Sequence, residues 1–353
     1  MALVLILMTV GLIVIFSASS VLSFVRYGNN YYFILRQLIF TAIGLAIMFI
    51  LSYIDYHLWK KWAFYFLLAG LAVLAVVLLP KIGFQVGNAR RGVNLGWFLI
   101  QPSEFVKLLL ILYLASWFDR KKDAESNFWF GIIPPLLLTG LSVGLVVLEP
   151  DLGTAIMMCL IIFVMLFAAG TKIRYLVALA AMFVAGAWIL IAAAPYRAAR
   201  LVTFFDPSLD PQGIGYHINQ ALLAIGSGGF WGYGYGGSRQ KHNYLPEPIG
   251  DSIFAVMAEE LGLFRIVAVV GVFWLLAMKG VKVARSAPDK FGQLIAMGVT
   301  SWIILQTIIN IGAITNFLPL TGIPMPFISY GGSSLLSLCA AVGILLNISK
   351  QRV

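Results

Sequence analysis

Charge is scarce in this sequence. Only 11% of its 353 residues are Asp, Glu, Lys or Arg, against about 25% in a soluble domain. With 61% hydrophobic residues and a mean hydropathy of +0.95, that scarcity excludes an ordinary soluble protein, a disordered chain and a collagen-like repeat. Cysteine is nearly absent: Cys159 and Cys339 both lie in apolar runs, which rules out a disulfide framework and C-x-x-C metal spacing. The three histidines, His57, His217 and His242, are too far apart for a zinc motif. Acidic residues number 14 against 24 basic ones, for a net charge of +10. In a soluble protein that excess points to nucleic acid; in a chain this apolar it is first a signal of membrane topology.

What the sequence has in quantity is long hydrophobic runs. A membrane-spanning helix needs about 20 mostly apolar residues. Ten segments qualify: 2–22, 34–53, 62–79, 103–118, 130–148, 152–169, 175–194, 252–278, 291–312 and 331–349. The runs are continuous, not alternating, so a β-barrel is excluded. The first segment lacks a basic stretch before it and reads as an uncleaved span, not a signal peptide. The expected fold is all-α: a polytopic membrane protein of about ten transmembrane helices, forming one domain over 1–353. A large extracytoplasmic loop at 195–251 is expected between helices 7 and 8.

Ten spans put both termini on one side. If that side is the cytoplasm, the inner segments carry Lys60, Lys61, Arg120, Lys121, Lys122, Lys172, Arg174, Lys279, Lys282, Arg285, Lys290, Lys350 and Arg352. The outer ones carry Arg26, Arg36, Lys81, Arg90, Arg91, Arg197, Arg200, Arg239 and Lys241, spread over more than twice the length. The positive-inside rule therefore favours cytoplasmic termini. The long loops, 80–102, 195–250 and the Pro/Gly-rich 313–330, then face outward, and long irregular loops usually carry function.

Charges at membrane depth are costly and therefore informative. Glu104 and Lys107 lie three apart on one helix face, either as a structural pair or as the lining of a polar cavity. Glu149 and Asp151 flank Pro150, and Asp151 is placed to cap the sixth span. Asp251 opens the eighth span where the long loop meets the membrane; it is either an N-cap or, partly desolvated, a general base. Of Glu259 and Glu260, further along that span, one is expected to line a cavity and the other to pair or reach the interface. Arg90, Arg91, Arg197, Arg200, Arg239 and Lys241 have the chemistry to bind a phosphate or to meet lipid headgroups. Ile214, Ile218, Ala221, Leu222 and Ile225 recur at helical spacing and predict a short amphipathic helix. The glycine- and aromatic-rich 226–237 reads as an interfacial belt. Three prolines, Pro319, Pro324 and Pro326, forbid a helix over 313–330, which reads as a re-entrant loop. In and beside it, Thr321, Ser329, Ser333 and Ser334 are polar groups able to face a substrate.

Several stretches together resemble the SEDS family of cell-wall polymerases, which includes RodA, FtsW and SpoVE. They are Asn94-Leu95-Gly96, Gln101-Pro102-Ser103-Glu104 with Lys107, Glu149-Pro150-Asp151-Leu152-Gly153-Thr154, Phe205-Asp206-Pro207 and Gly215-Tyr216-His217-Ile218-Asn219-Gln220. Further on come Tyr244-Leu245-Pro246-Glu247, Asp251 to Gly262, and Thr321-Gly322-Ile323-Pro324-Met325-Pro326-Phe327-Ile328-Ser329-Tyr330-Gly331-Gly332-Ser333-Ser334. The likeness runs through nearly the whole chain in order. It departs from the family where Gly92 follows Arg91 and where Ile249-Gly250-Asp251-Ser252 stands in place of a His/Gln-Thr-Asp-Phe sequence.

The resemblance implies a peptidoglycan glycosyltransferase that polymerises lipid II, a disaccharide peptide on undecaprenyl pyrophosphate, at the outer face of the bacterial cytoplasmic membrane. It implies a class B penicillin-binding protein as partner, with no nucleic acid, and places the essential Asp at Asp251. Arg91, Glu104 and Lys107 fall on family motif positions. With Arg197, Arg200, Lys241, Ser329 and Ser333 they form the expected substrate-binding set. No resident cofactor is implied, though a divalent cation, Mg or Mn, would suit the pyrophosphate. The elongation and division branches both stay open. A lipid II flippase and a non-catalytic scaffold for the penicillin-binding protein are the rival readings.

Overall fold

The structure, a computed structural model, describes residues 1–79, 83–86, 89–94, 96, 98–121, 128–210, 213–242 and 244–351. Of the basic loop residues, Lys81, Lys122 and Arg352 lie outside the described residues, as do Leu95 and the side chains of Arg90 and Asn94. The long helices are α1 (Ala2–Tyr27), α2 (Tyr32–Tyr53), α3 (His57–Val77), α4 (Pro102–Arg120), α5 (Ile133–Leu148), α6 (Leu152–Ala169) and α7 (Ile173–Ala192). Two shorter ones, α8 (Pro195–Phe205) and α9 (Ile214–Gly228), precede α10 (Ile253–Arg285), α11 (Lys290–Ile314) and α12 (Gly332–Lys350). Among the described residues, 9 helical segments are long and apolar enough to cross a membrane. α4 is helical as expected but carries Glu104, Lys107, Asp119 and Arg120, which keep it out of that set.

Local chemistry explains several boundaries. α6 starts because the Asp151 carboxylate accepts the Thr154 N–H at 3.0 Å, and ends because Gly170 takes up the left-handed conformation at φ 92°. α9 is the short amphipathic helix expected, burying Ile218, Ala221 and Ala224 on one face; Leu222, read as part of the apolar face, is exposed with Leu223. α8 is an addition to the expected elements; Pro195 in its first turn is the start signal that the sequence offers.

The stretch 80–102 also departs from an all-helical reading. β1 (Phe84–Val86), β2 (Ala89–Asn94) and β3 (Leu99–Ile100) form an antiparallel sheet in the order β1-β2-β3. Phe84 pairs with Gly92, and Val93 with Ile100. The dipeptide Gly87-Asn88 between two short runs is a hairpin signal in the sequence, too brief to stand out among spans of twenty residues.

The chain forms two compact units. The first comprises residues 1–41, 184–276 and 306–331. Here the segment after α11 is irregular, as its prolines require, and it is buried in protein: Ile323, Met325, Phe327 and Ile328 are all at most 5% exposed. It lies directly against α1, where a Cβ on Gly11 would fall 2.6 Å from the Phe327 carbonyl oxygen. α10 is broken at Gly262 (φ 74°, ψ 173°), and the glycine-rich segment repairs the break. Tyr233 and Gly234 donate to the carbonyls of Glu259 and Glu260 at 3.0 Å each, and Gly229 accepts from Leu263 at 2.9 Å. A side chain on Gly262 would collide with Gly232 and Trp231. These glycines therefore serve close backbone approach; Phe230 and Trp231 stay exposed, as a belt residue would.

The second unit comprises residues 42–183, 277–305 and 332–353. α4 is its axis. Leu110, Ile111, Leu114 and Ala115 are fully buried, and α4 packs on α3, α6 and α12. Gly298 lets α11 press in: a Cβ there would meet Ile111 and the Met165 sulfur at 2.7 Å. In a bilayer such packing rests on close van der Waals contact, and the central position also keeps the Glu104–Lys107 pair of this helix away from lipid.

Candidate active site

Asp251 precedes the first turn of α10, in the first unit. The three successive carbonyls around it are each held. Tyr330 N–H donates to Ile249 O at 2.9 Å, the Ser329 hydroxyl to Gly250 O at 2.7 Å, and Asn310 Nδ2 to Asp251 O at 2.8 Å. Two of these donors are side chains 59 and 79 positions further along the chain than the carbonyls they hold. The carboxyl group is treated differently: its Oδ1 is out of solvent with no hydrogen-bond partner. Burial, helped by the nearby Glu247 charge, pushes Asp251 up to about 6, against the pull of its own and Ser252's N–H groups and of Arg200. A carboxylate on so fixed a backbone, with one oxygen desolvated and unpaired, has the chemistry to take a proton.

Its surroundings are mixed. Arg200, on α8, donates to Leu320 O at 3.5 Å, and its charge acts on both Asp251 and His217. His217 on α9 meets the Ser252 hydroxyl at 2.5 Å. Burial and then Arg200 push its imidazole down to about 4, so it is neutral near pH 7. Arg197 donates to Leu190 O at 3.0 Å. Ser329, expected to contact substrate, has both roles taken, since its oxygen also accepts the Met325 N–H at 2.8 Å.

Lys241 is likewise engaged. Its ammonium donates to Glu260 Oε1 at 2.9 Å, to Ser17 Oγ at 2.9 Å and to Gly236 O at 2.8 Å. Three donors meet three acceptors, and the residue is 5% exposed. Glu259 accepts from the Ser238 hydroxyl at 2.6 Å and from Arg239 N–H at 2.9 Å. Both glutamates are buried: Glu260 pairs, one of the outcomes the sequence leaves open, and Glu259 is held by hydroxyl and N–H donors, because the 236–241 segment turns back over α10 and supplies donors to both.

The second unit holds a polar cluster of its own. Arg91, on β2, donates through Nη2 to Pro150 O at 2.6 Å and through Nε to Glu149 O at 3.4 Å, and lies 4.0 Å from Asp151 Oδ2. Gln101 joins it: its side chain donates to Asp151 at 3.3 Å, and its N–H to Ser333 Oγ at 2.9 Å. Glu149 is fully buried, and neither carboxyl oxygen has a partner. Burial, then the Asp151 charge, push it up to about 8 against the pull of Arg91, so it is mostly protonated near pH 7. Nothing in the sequence signals that neutrality. On α4 the Lys107 ammonium pairs with Glu104 at 2.8 Å and sits 4.9 Å from the Trp302 ring centre. Both partners are at most 5% exposed. Among the described residues, no group of three or more His, Cys, Asp or Glu is placed to hold a metal ion.

A bundle of long apolar helices, with a partly desolvated carboxyl group at the start of one of them under the influence of an arginine charge, is the architecture of a polytopic membrane protein. Over residues 1–353 the chain matches the family described as "Cell cycle protein", that of FtsW, RodA and SpoVE, and it belongs to that family. It is 40% identical over 346 residues to Stage V sporulation protein E of Bacillus subtilis, covering 98% of this chain and 94% of the relative. It is 38% identical over 352 residues to a probable peptidoglycan glycosyltransferase FtsW of Trichlorobacter lovleyi, covering 98% and 92%. Among solved structures it superposes with a TM-score of 0.77 on a chain 29% identical, covering 97% of each. That structure is described as showing the coordination of polymerization and crosslinking by a peptidoglycan synthase complex. Family and relatives together make the chain a SEDS glycosyltransferase.

Proposed function

We propose that the chain polymerises lipid II into glycan strands at the outer face of the cytoplasmic membrane, for elongation or division. The observation that carries this reading is Asp251: clamped through three carbonyls, with one carboxyl oxygen desolvated and unpaired. The 4-hydroxyl of an incoming lipid II attacks the anomeric carbon of the lipid-linked glycan. The new C–O bond forms as the bond to pyrophosphate breaks, with inversion, and Asp251 takes the hydroxyl proton. Undecaprenyl pyrophosphate leaves as an anion, and Arg200, whose charge already acts on Asp251, is the cation of this unit best placed to steady it. Arg91, partly exposed at 37%, is the phosphate-binding candidate of the other unit. The basic residues of the short loops favour cytoplasmic termini, which puts Asp251 outside. A class B penicillin-binding protein is the proposed partner, in keeping with the synthase complex to which the similar chain belongs.

Purified chain, supplied with lipid II with and without such a partner, yields glycan strands resolvable by gel. Absence of polymer in both, together with movement of lipid II across a vesicle bilayer, would transfer the assignment to a flippase.

A further inference from the structure

Three buried polar atoms in one neighbourhood of the first unit have no partner: Asp251 Oδ1, Asn310 Oδ1 and Thr321 Oγ1. Asn310 is 1% exposed, and its amide is fixed. Nδ2 donates at 2.8 Å both to Asp251 O and to Ile323 O, so both its protons are used and the carbonyl oxygen is turned away from these partners. Thr321 and Gly322 lie just before Ile323 in the irregular segment. Gly322 has φ 71°, and a Cβ there would come 3.8 Å from Asp251 Oδ2, so the backbone passes close to the carboxyl group. Buried polar atoms are nearly always paired, and an unpaired one costs about 1–3 kcal/mol. Here an amide oxygen and a hydroxyl stand unpaired near an unpaired carboxylate oxygen.

We propose that Asn310 and Thr321 complete, with Asp251, the hydrogen-bonding subsite for the sugar that carries the attacking hydroxyl. The inference rests on the polymerase reading above. Asn310 Oδ1 accepts from a donor on the sugar, a hydroxyl or an acetamido N–H, and Thr321 Oγ1 bonds a second polar group. Asp251 Oδ1 is left to receive the proton of the reacting hydroxyl. Asn310 also acts on the base itself: through the Asp251 carbonyl it fixes where that carboxylate stands.

The test is steady-state kinetics on lipid II with the purified full-length chain and its partner transpeptidase. Thr321→Val keeps the shape and removes the hydroxyl; KM rises about threefold to tenfold, and Thr321→Ser restores it. Asn310→Ala loses an acceptor and frees the Asp251 carbonyl; kcat/KM falls about 10–100-fold, with kcat affected, because small misplacement of a reacting group is costly. Should Asn310→Ala fail to fold, the Thr321 pair carries the test alone. Wild-type constants for Thr321→Val, or a loss that Thr321→Ser does not restore, would overturn the inference. Measured alongside, absence of polymer from wild type with its partner would instead remove the polymerase reading itself, whereas an active Asp251→Asn would remove only the role of Asp251 as base.

Discussion

Asp251→Asn lowers the rate of glycan synthesis by about 10²–10⁴-fold, the contribution typical of a general base. The fold survives the change. Asparagine has the shape of aspartate, and the long-range contacts from Asn310, Ser329 and Tyr330 go to the carbonyls of residues 249–251. The carboxyl group feels only the local N–H groups of residues 251 and 252, from which an amide oxygen can still accept. Oδ1 is buried without a partner, so the substitution removes a costly desolvated charge and breaks no hydrogen bond at that atom. Thermal unfolding in detergent therefore gives a midpoint at or above that of wild type, while initial rates on lipid II collapse. Asp251→Glu keeps a base but moves it by one methylene, and falls between the two. A variant that is both inactive and unfolded would mean that the residue is structural.

The second large effect is on stability. Glu260→Gln, or Lys241→Met, destabilises the protein by about 3–5 kcal/mol, the usual result of stripping one partner from a buried ion pair. Lys241 and Glu260 are 5% and 2% exposed, and Ser17 ties the pair to α1 by donating to Glu260 Oε1 at 2.6 Å. Loss of Lys241 leaves a carboxylate among hydroxyls and N–H groups; loss of Glu260 leaves an ammonium with a serine and a carbonyl. Thermal unfolding of each single variant reads the cost. The double variant Lys241→Met with Glu260→Gln recovers part of it, because no buried charge then stands alone at this pair. Additive losses in the double variant would show that the two side chains do not interact.

The membrane helices are the most legible feature of the sequence, because long apolar runs leave few alternatives in a bilayer. α6 can be placed almost to the residue from Asp151 and Gly170, which cap it by local chemistry. α9 follows from five apolar positions at helical spacing. The small sheet over 84–100 escapes such reading, since three short strands make no periodic signal against their surroundings. Asp251 stands out by its position at the end of a long loop and by resemblance to a family motif. The clamp around it is not legible: Asn310, Ser329 and Tyr330 lie far along the chain, and only the folded segment after α11 brings their donors to residues 249–251. Lys241 shows the converse. A lysine in a long loop suggests a ligand for phosphate, yet folding places it on Glu260, Ser17 and a carbonyl. Glu149 carries a consequence that only burial creates, a carboxyl group raised to about 8.

The central claim is that an ionised Asp251 takes the proton of the attacking hydroxyl, and the pH dependence of kcat/KM tests it most directly. Burial raises this carboxyl group to about 6, and the base works only when deprotonated. The rate therefore rises with pH through about 6 and levels off above it, falling about tenfold per pH unit well below that midpoint. In Asp251→Glu the midpoint moves, which separates the enzyme's titration from that of the substrate phosphates. A profile flat across this range, or one whose midpoint is the same in Asp251→Glu, would contradict the account.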